Sequence, residues 1–522
     1  MADCSRREML RNGLAGLGGY CLLNRFAGLD ALAAPDGGRL NVLFIAVDDL
    51  RPELGCYGNR IVKSPSIDAL AASGMTFKRA YCQQAVCSPS RTSLLTGRRP
   101  DTTLVYDLNT HFRRHIPDVV TLPQHFVSNG YHAQSFGKIF HGGFDDPASW
   151  TEPAWFPEAP QYGKPENIAL MEKNAAEARE FNKKLKGGVA LEKDPKTGII
   201  LKENPRKKKA RRGPSWEDPD APDHALPDGR ITDAALNAMR RIKDKPFFLA
   251  VGFLKPHLPF VAPKKYFDLY KGIDIPLADN PFAPRNAPQF ALSNWGELRQ
   301  YNDIPGEGPL SDDKARELVR AYYAAVSFTD AQIGRLLAGL DALGLREKTV
   351  VVLWGDHGWQ LGEHGMWCKH TNFETSVHSP LVISAPGRKN AGGASDALVE
   401  FVDIYPSLCE ACGLQPPAGL EGASFIPLLE NPAREWKRAA FSQYPRSIPN
   451  VGDCMGYSMR TDRYRFTEWA VPEKGFRVCE LYDHSTDPDE NENIADKPEN
   501  AELVKELTKT LREGWRGAMP KG

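Results

Sequence analysis

The chain has 522 residues, enough for one large or two ordinary domains, and it is 41% hydrophobic and 25% charged, the composition of a soluble globular protein. Its 66 basic residues equal its 66 acidic residues, so the net charge gives no reason to expect a nucleic acid or a membrane surface as partner. Any attraction for an anionic ligand must come from a local arrangement of charge.

The first 34 residues have the pattern of a targeting segment. The twin-arginine motif Ser5-Arg6-Arg7-Glu8-Met9-Leu10 precedes a short apolar stretch, and small residues at 31–33 suit cleavage before Ala34. This order predicts bacterial export by a twin-arginine-type signal to the periplasm or the exterior, without stable membrane insertion after signal removal. The alternative is an ordinary amphipathic helix with two exposed arginines.

Three apolar runs, at 40–47, 246–253 and 349–354, are typical of strands buried on both faces. The stretch 311–343 has apolar residues at helical spacing. Strands that alternate with helices predict an α/β fold with a large, mixed but mostly parallel central sheet flanked by helices.

The sequence pattern changes after about residue 434. Short strand-like pieces and a final helix over 501–515 predict a small C-terminal α+β subdomain with an antiparallel sheet at 435–522, behind a main domain at 38–434.

Two further segments each leave an alternative open. The basic insertion at about 183–212 is either a solvated surface loop, which we favour, or a basic lip that captures a polyanion such as a sulfated glycan. Cys409 and Cys412 form a C-x-x-C in a helical stretch, and without a second cysteine pair they indicate core packing or an incidental disulfide rather than a zinc site.

Polar side chains follow each of the three apolar runs. Asp48 and Asp49 follow the first, Lys255 and His257 the second, and Asp356-His357 the third. Because ligand sites of α/β sheets form beyond the carboxyl ends of strands, we expect these residues to converge. Adjacent carboxylates repel each other unless a cation lies between them, which indicates a hard divalent metal bound through oxygen.

Cys87 stands at the predicted start of a helix, in the run Cys87-Ser88-Pro89-Ser90-Arg91. Free backbone N–H groups at a helix start attract anions and make a thiol more reactive. From the residues alone, Cys87 is either a nucleophile or a structural cysteine near an anion site.

The run 87–91, with Leu94-Leu95-Thr96-Gly97-Arg98 after it, resembles the C-x-P-x-R signature of type I formylglycine-dependent sulfatases, in the alkaline phosphatase-like superfamily. The resemblance spans residues 41 to about 487 and is closest to the iduronate-2-sulfatase branch. The stretches that support it are 97–103, 137–141, 255–260, 355–365 and 369–374.

The resemblance implies that Cys87 is oxidised to 3-oxoalanine (formylglycine) by a formylglycine-generating or sulfatase-maturating enzyme. One hydroxyl of the aldehyde hydrate attacks sulfur, the sugar alcohol leaves, and the second hydroxyl then loses a proton and sulfate is expelled. One Ca²⁺ per chain is implied, with Asp48, Asp49, Asp356, His357 and the modified Cys87 as its ligands. Many sulfatases carry asparagine where this chain has His357.

The resemblance also assigns the remaining roles. Arg91 would hold the diol, Lys138 and His141 would lie beside its second hydroxyl, and His141 would take its proton. His257 and Lys369 would reach the sulfate and the bridging oxygen, with His257 as leaving-group acid. For Trp359 a wall of the sugar site and core packing are equal alternatives, and Lys255 is either a substrate contact or a surface lysine.

The substrate that the resemblance implies is a 2-O-sulfated uronate or related sugar of a sulfated glycan. One alternative is a phosphonate or phosphodiester hydrolase of the same superfamily. The other is a catalytically silent protein that binds sulfated glycans, which would result if Cys87 were never modified.

Overall fold

The computed structural model describes residues 38–184, 192–202, 212–387 and 390–520. The predicted targeting segment at 1–34 and much of the basic insertion, at 185–191 and 203–211, lie outside these ranges, so export remains a prediction. Within the described ranges, no helix has both the length and the apolar character needed to cross a membrane.

Strands and helices alternate through the first two thirds of the chain. The strands are β1 (Asn41–Val47), β2 (Met75–Tyr81), β3 (His132–Gly137), β4 (Glu192–Lys193), β5 (Ile200–Lys202), β6 (Trp216–Glu217), β7 (Phe247–Phe253), β8 (Phe260–Val261), β9 (Thr349–Gly355), β10 (Gln360–Leu361), β11 (Trp367–Cys368), β12 (Leu381–Ser384), β13 (Gly393–Glu400), β14 (Ala440–Ile448), β15 (Gly452–Arg460), β16 (Tyr464–Val471) and β17 (Phe476–Asp483). The helices are α1 (Pro65–Ala72), α2 (Cys87–Thr96), α3 (Pro100–Thr103), α4 (Leu122–Ser128), α5 (Pro165–Lys183), α6 (Pro227–Ile242), α7 (Lys264–Asp268), α8 (Asp312–Ala342), α9 (Glu374–Val377), α10 (Ile404–Ala411), α11 (Ile426–Glu430) and α12 (Ala501–Ala518).

Seven strands form the central sheet in the order β13-β2-β12-β9-β1-β7-β3. β1 pairs in parallel with both β7 and β9, β3 pairs in parallel with β7, and β13 with β2. Only β12 runs antiparallel to its neighbours within this sheet. The prediction of a mostly parallel central sheet is therefore confirmed.

Helices cover both faces of the sheet, so its strands have a core on each side. In β1, Leu43 and Ile45 belong to one core cluster, while Val42 and Phe44 belong to the other. Helices α1, α6 and α8 supply the first cluster, and α2, α4 and α10 supply the second. A strand buried on both faces has to be apolar at every position, which is why the sequence of β1 predicted it.

The C-terminal region forms a separate antiparallel sheet, β14-β15-β16-β17. Helix α12 packs on it, with Leu507 and Leu511 in one cluster with Met459, Phe466 and Leu481. This confirms the antiparallel sheet predicted after residue 434. The domain boundary itself stays a prediction.

The pair Cys409 and Cys412 lies at the C-terminal end of α10, where both side chains are buried and both thiols are free. Core packing, rather than a disulfide, is therefore the correct interpretation of this C-x-x-C.

Candidate active site

Four adjacent parallel strands end at one edge of the sheet, in the order β9, β1, β7, β3. Val47 is level with Phe253 of β7 and with Gly355 of β9, so the residues that follow these strands emerge side by side. The predicted convergence of the three strand ends is thus found in the structure. The end of β3 brings Lys138 to the same edge, although the sequence analysis did not identify that strand.

Two glycines allow the ends of β3 and β7 to approach closely. A Cβ atom on Gly252 would lie 2.0 Å from the carbonyl oxygen of Lys138, and Gly137 has a φ of +73°. The N–H of Lys138 donates to the carbonyl of Gly252 at 2.9 Å. Any larger residue at position 252 would push Lys138 away from the other strand ends.

Asp48, Asp49 and Asp356 form a buried carboxylate cluster, each with an oxygen within 4.8 Å of the others. The N–H of Asp49 donates to Oδ1 of Asp356 at 3.0 Å. Asp49 has a φ of +61°, a conformation that a non-glycine residue holds only when its surroundings enforce it. His357 lies against the cluster, with Nε2 3.4 Å from Oδ1 of Asp49.

Cationic side chains hold this cluster together. Arg91 donates to Asp48 at 3.1 Å and to Asp356 at 2.9 Å, and Lys138 donates to Asp48 at 2.5 Å. Burial alone would raise the pKa of Asp48, but Lys138, His257 and Arg91 outweigh it and keep that pKa well below its usual range. Asp48 is therefore an anion in the folded protein.

The negative charge of Asp49 is less well compensated by neighbouring cations than that of Asp48. Burial raises the pKa of this carboxyl and the neighbouring charge of Asp48 adds to the rise, although Lys369 and both nearby histidines act in the opposite direction. An additional cation at the cluster would favour the anionic form of Asp49.

Cys87 is the first residue of α2, as predicted, and its side chain points at the cluster. Its Sγ lies 3.4 Å from Nε2 of His357 and 4.0 Å from Oδ1 of Asp49. Burial and a neighbouring charge act against the expectation of a more reactive thiol, which stays a prediction. Burial, together with the negative charge of Asp48, raises the pKa of the Cys87 thiol well above its usual value.

Lys369 also reaches the cluster, from the segment just after β11. Its two chain neighbours, Cys368 and His370, both have left-handed backbones, with φ of +71° and +81°. The ammonium of Lys369 donates to Asp49 at 3.0 Å and lies 4.7 Å from the centre of the Trp359 ring. Trp359 itself is buried and packs on Phe260, which supports core packing over a wall of the sugar site.

Glu297 is a site residue that the sequence analysis missed. It precedes a short 3-10 turn, and its two oxygens lie 3.0 Å from Nε2 of His257 and 2.8 Å from Nζ of Lys369. Lys369 and His257 outweigh the effect of burial and hold the pKa of Glu297 well below its usual range. His257 is further fixed by a 2.6 Å contact between Nδ1 and the carbonyl of Leu258.

A cleft of about 880 Å³ opens onto this arrangement. Residues of the predicted site that line it are Asp48, Cys87, Lys138, His141, Lys255, His257 and Lys369. Arg91, Asp49, Asp356 and His357 lie behind this wall and are fully buried.

His141 and Lys255 have distinct environments in the cleft wall. Burial and the charge of Lys138 lower the pKa of His141 well below its usual value, so its ring is neutral, and its buried Nδ1 has no hydrogen-bond partner among the described residues. Lys255 is buried and donates to the carbonyls of His257 and Pro259, so the surface-lysine alternative is wrong. Burial lowers the pKa of Lys255 to about 8.

The sulfatase family profile matches residues 40–414, and the C-terminal profile of N-sulphoglucosamine sulphohydrolase matches residues 362–516. This chain belongs to the sulfatase family. As a member of that family, it is a sulfuric ester hydrolase.

Curated relatives of this sulfatase match it over nearly its whole length. Iduronate 2-sulfatase of Homo sapiens is 35% identical, over 90% of this chain and 93% of the human protein. A sulfatase of Formosa agariphila is 29% identical, over 91% of this chain and 87% of its own.

Solved structures share the fold. One, in complex with its substrate D-glucosamine-2-N,6-O-disulfate, is 22% identical with a TM-score of 0.68, covering 92% of this sulfatase and 98% of its own chain. The phosphonate monoester hydrolase of Agrobacterium radiobacter is 24% identical with the same TM-score, covering 92% and 95%.

Proposed function

We propose that this sulfatase removes a sulfate ester from a carbohydrate, with a 2-O-sulfated uronate or related sugar of a sulfated glycan as its substrate. The observation that carries the proposal is the position of Cys87. It starts a helix beside a buried carboxylate cluster and lines a cleft whose wall also holds Lys138, His257 and Lys369. The 35% identity to human iduronate 2-sulfatase supports the choice of sugar.

Cys87 has to be converted to formylglycine by a maturation enzyme before it can act. The C-x-P-x-R run at residues 87–91 and the match to the sulfatase family support this step. The hydrated aldehyde at position 87 would supply two hydroxyls: one to attack sulfur as its bond to the sugar oxygen breaks, and one to lose its proton as the aldehyde re-forms and sulfate is expelled.

The carboxylate cluster fits one Ca²⁺. Three buried carboxylates with oxygens within 4.8 Å of one another are the hard donors that this ion prefers. Asp48, Asp49, Asp356, His357 and the modified residue 87 would hold it. When bound, the ion supplies positive charge beside the nucleophile and the sulfate oxygens.

The remaining residues of the cleft divide into two groups. His141 is neutral with a free ring nitrogen, so it can accept the proton of the second hydroxyl, and Lys138 lies beside it. His257 and Lys369 both contact Glu297 and line the cleft, where they can bind the sulfate oxygens, and His257 can protonate the departing alcohol.

The test combines the state of residue 87 with a panel of substrates. In active protein from the native host, the peptide carrying Cys87 should show the mass of the aldehyde, and Cys87→Ala should abolish sulfate release, whereas Cys454→Ala in the C-terminal sheet should not. An unmodified thiol in active protein would overturn the formylglycine step.

The panel comprises di- and monosaccharides sulfated at the 2-O, 6-O or N position, with the phosphate ester of one alcohol for comparison. Release from the 2-O-sulfated uronate should be fastest. Preference for 6-O- or N-sulfate would refute the substrate, and a faster reaction with the phosphate ester would favour the phosphohydrolase alternative.

A further inference from the structure

The lysines and arginines that line the cleft differ in whether a protein group accepts a hydrogen bond from them. Four of the five have such an acceptor: Lys138 donates to Asp48, Lys369 to Asp49 and Glu297, Lys255 to two backbone carbonyls, and Arg446 to the carbonyls of residues 290, 291, 292 and 370. Arg212 is the fifth. Among the described residues, its guanidinium has a ring contact with Tyr301 and no bond to a carboxylate or a carbonyl, and it lines the cleft.

Arg212 is half-buried and held in place although it ends the basic insertion. Its guanidinium lies 5.4 Å from the centre of the buried Tyr301 ring. The next three residues are tied down by the following bonds: Asn302 N to Gly213 O at 3.1 Å, the Tyr162 hydroxyl to Pro214 O at 2.7 Å, and Ser215 N to Asp303 Oδ1 at 2.8 Å. An anchored backbone lowers the entropy that the side chain loses when it binds a ligand.

The described part of the insertion packs beside the same cleft. The N–H of His111 donates to the carbonyl of Leu201 at 2.9 Å, and Arg114 pairs with Glu192 at 3.0 Å. Leu108, a few residues before His111, lines the cleft. The strand pair β4–β5 therefore contacts the segment that follows Leu108.

The cleft is large enough for more than one sugar ring. Its volume of about 880 Å³ lies near the upper end of the range of about 300–1,000 Å³ for pockets that enclose whole organic ligands. Phe156, which is 46% exposed, supplies an apolar surface on the wall. The sulfate ester and its ring leave part of this volume unfilled.

We propose that Arg212 binds a second anionic group of the glycan, distinct from the sulfate that is cleaved. The planar guanidinium matches a carboxylate or a sulfate through two parallel N–H donors, so the group is either the uronate carboxylate or a sulfate on a neighbouring ring. This inference rests on the proposed function. It makes Arg212 a determinant of substrate specificity, and it gives the described end of the insertion the polyanion-capturing role that the sequence analysis placed second.

The experiment compares Arg212→Gln with the unaltered enzyme on four substrates. Three are disaccharides with the same scissile sulfate: one has an additional carboxylate, one an additional sulfate, and one neither. The fourth is 4-nitrophenyl sulfate. We expect KM to rise about ten-fold for whichever anionic disaccharide uses Arg212, since a charge-assisted hydrogen bond contributes about that factor. The kcat values and the KM for the two substrates without a second anion should be unchanged.

Arg285→Gln is the matched control, because it removes one positive charge from an exposed arginine that pairs with Glu492 and does not line the cleft. Arg212→Lys should restore part of the affinity. An equal change on all four substrates, an equal effect in the control, or no change at all would overturn the inference. A wild-type enzyme that releases no sulfate from any disaccharide would instead refute the proposed function.

Discussion

Arg91 connects the helix that carries Cys87 to the strand ends. Its Nε and Nη2 donate to Asp356 and Asp48, while Nη1 donates to the carbonyls of Lys138 and Ile139. A single planar group thus fixes the ends of β1, β3 and β9 relative to α2.

Replacing Arg91 by lysine keeps the positive charge but removes the planar guanidinium group with its several N–H donors. One ammonium cannot reach both carboxylates and both carbonyls, and two lost charge-assisted hydrogen bonds correspond to about a 100-fold loss of kcat/KM. Sulfate release and thermal melting of Arg91→Lys check this. Arg51→Lys, whose arginine pairs with Glu363 away from the cleft, is the control. Equal activity of Arg91→Lys and the wild type would contradict the prediction.

At the residue scale, the sequence could predict those side chains that stand at the end of an apolar strand or inside a short motif. Asp48, Asp356 and Cys87 are examples, and the structure brings them within a few ångströms. Glu297 stands neither at the end of an apolar strand nor inside a motif, so the sequence could not identify it. It lies in an irregular loop, and its partners His257 and Lys369 are distant in sequence, so only the folded chain shows that they share it.

At the scale of elements, burial on both faces decided which strands could be predicted. β1, β7 and β9 are continuous apolar runs and were identified. β3 was missed because it carries the polar residues Gln134 and Ser135, which are nevertheless buried. β12 has only four residues, too few to establish a period.

The C-terminal sheet contains a buried acid, Glu480 of β17, that makes stability depend on pH. Burial raises its pKa to about 7 from 4.5, although hydrogen bonds from Trp469 at 2.7 Å and Tyr482 at 2.9 Å act against the rise. The stability that this group contributes is fully present below pH 4.5. It is lost as the pH rises to about 7, because the unfolded chain releases the proton while the folded chain retains it.

Glu480→Gln should therefore flatten the stability curve over this range. Glutamine can still accept from Trp469 and can donate to the Tyr482 oxygen, so the fold is retained. The wild type should lose up to about 3 kcal/mol of unfolding free energy between pH 4.5 and 8 that the variant keeps. Denaturant unfolding at pH 5 and 8 measures it. Glu473→Gln, in an exposed turn of the same sheet, should keep the wild-type slope, and an identical slope in Glu480→Gln would disprove the assignment.

At the scale of the whole molecule, the C-terminal sheet follows the site residues in sequence and also contacts the segments that carry them. The N–H of Gln443 donates to the carbonyl of Gln83 at 2.8 Å, on the segment that leads into α2, and Asn372 donates to the carbonyl of Gly456 at 3.0 Å. A boundary at residue 434 can be drawn from composition alone. These long-range bonds could not be predicted, because nothing in a local pattern indicates which loop a strand edge will meet.

Arg446 of β14 is the strongest of these connections. It donates to the carbonyls of residues 290–292, which precede Glu297 in the same loop, and to the carbonyl of His370, next to Lys369. Its side chain therefore sets the position of two loops that meet at the cluster. The partners of Arg446 are carbonyls and the Tyr444 ring, none of them acidic, so Arg446 can hold the loops in place without weakening the attraction for an anionic substrate.

Arg446→Met keeps the length of the side chain and removes its donors. We expect kcat/KM to fall by about ten-fold or more, because a displacement of about 1 Å at Lys369 or Glu297 is enough to misalign the groups that bind the sulfate. Arg463→Met, which breaks a pair with Asp483 in the same sheet away from the cleft, should leave kcat/KM unchanged. Steady-state kinetics with thermal melting of both variants separates the outcomes. The prediction is contradicted if the activity of Arg446→Met falls only as far as its fraction of folded protein falls. In that case Arg446 stabilises the chain but does not position the loops of the site.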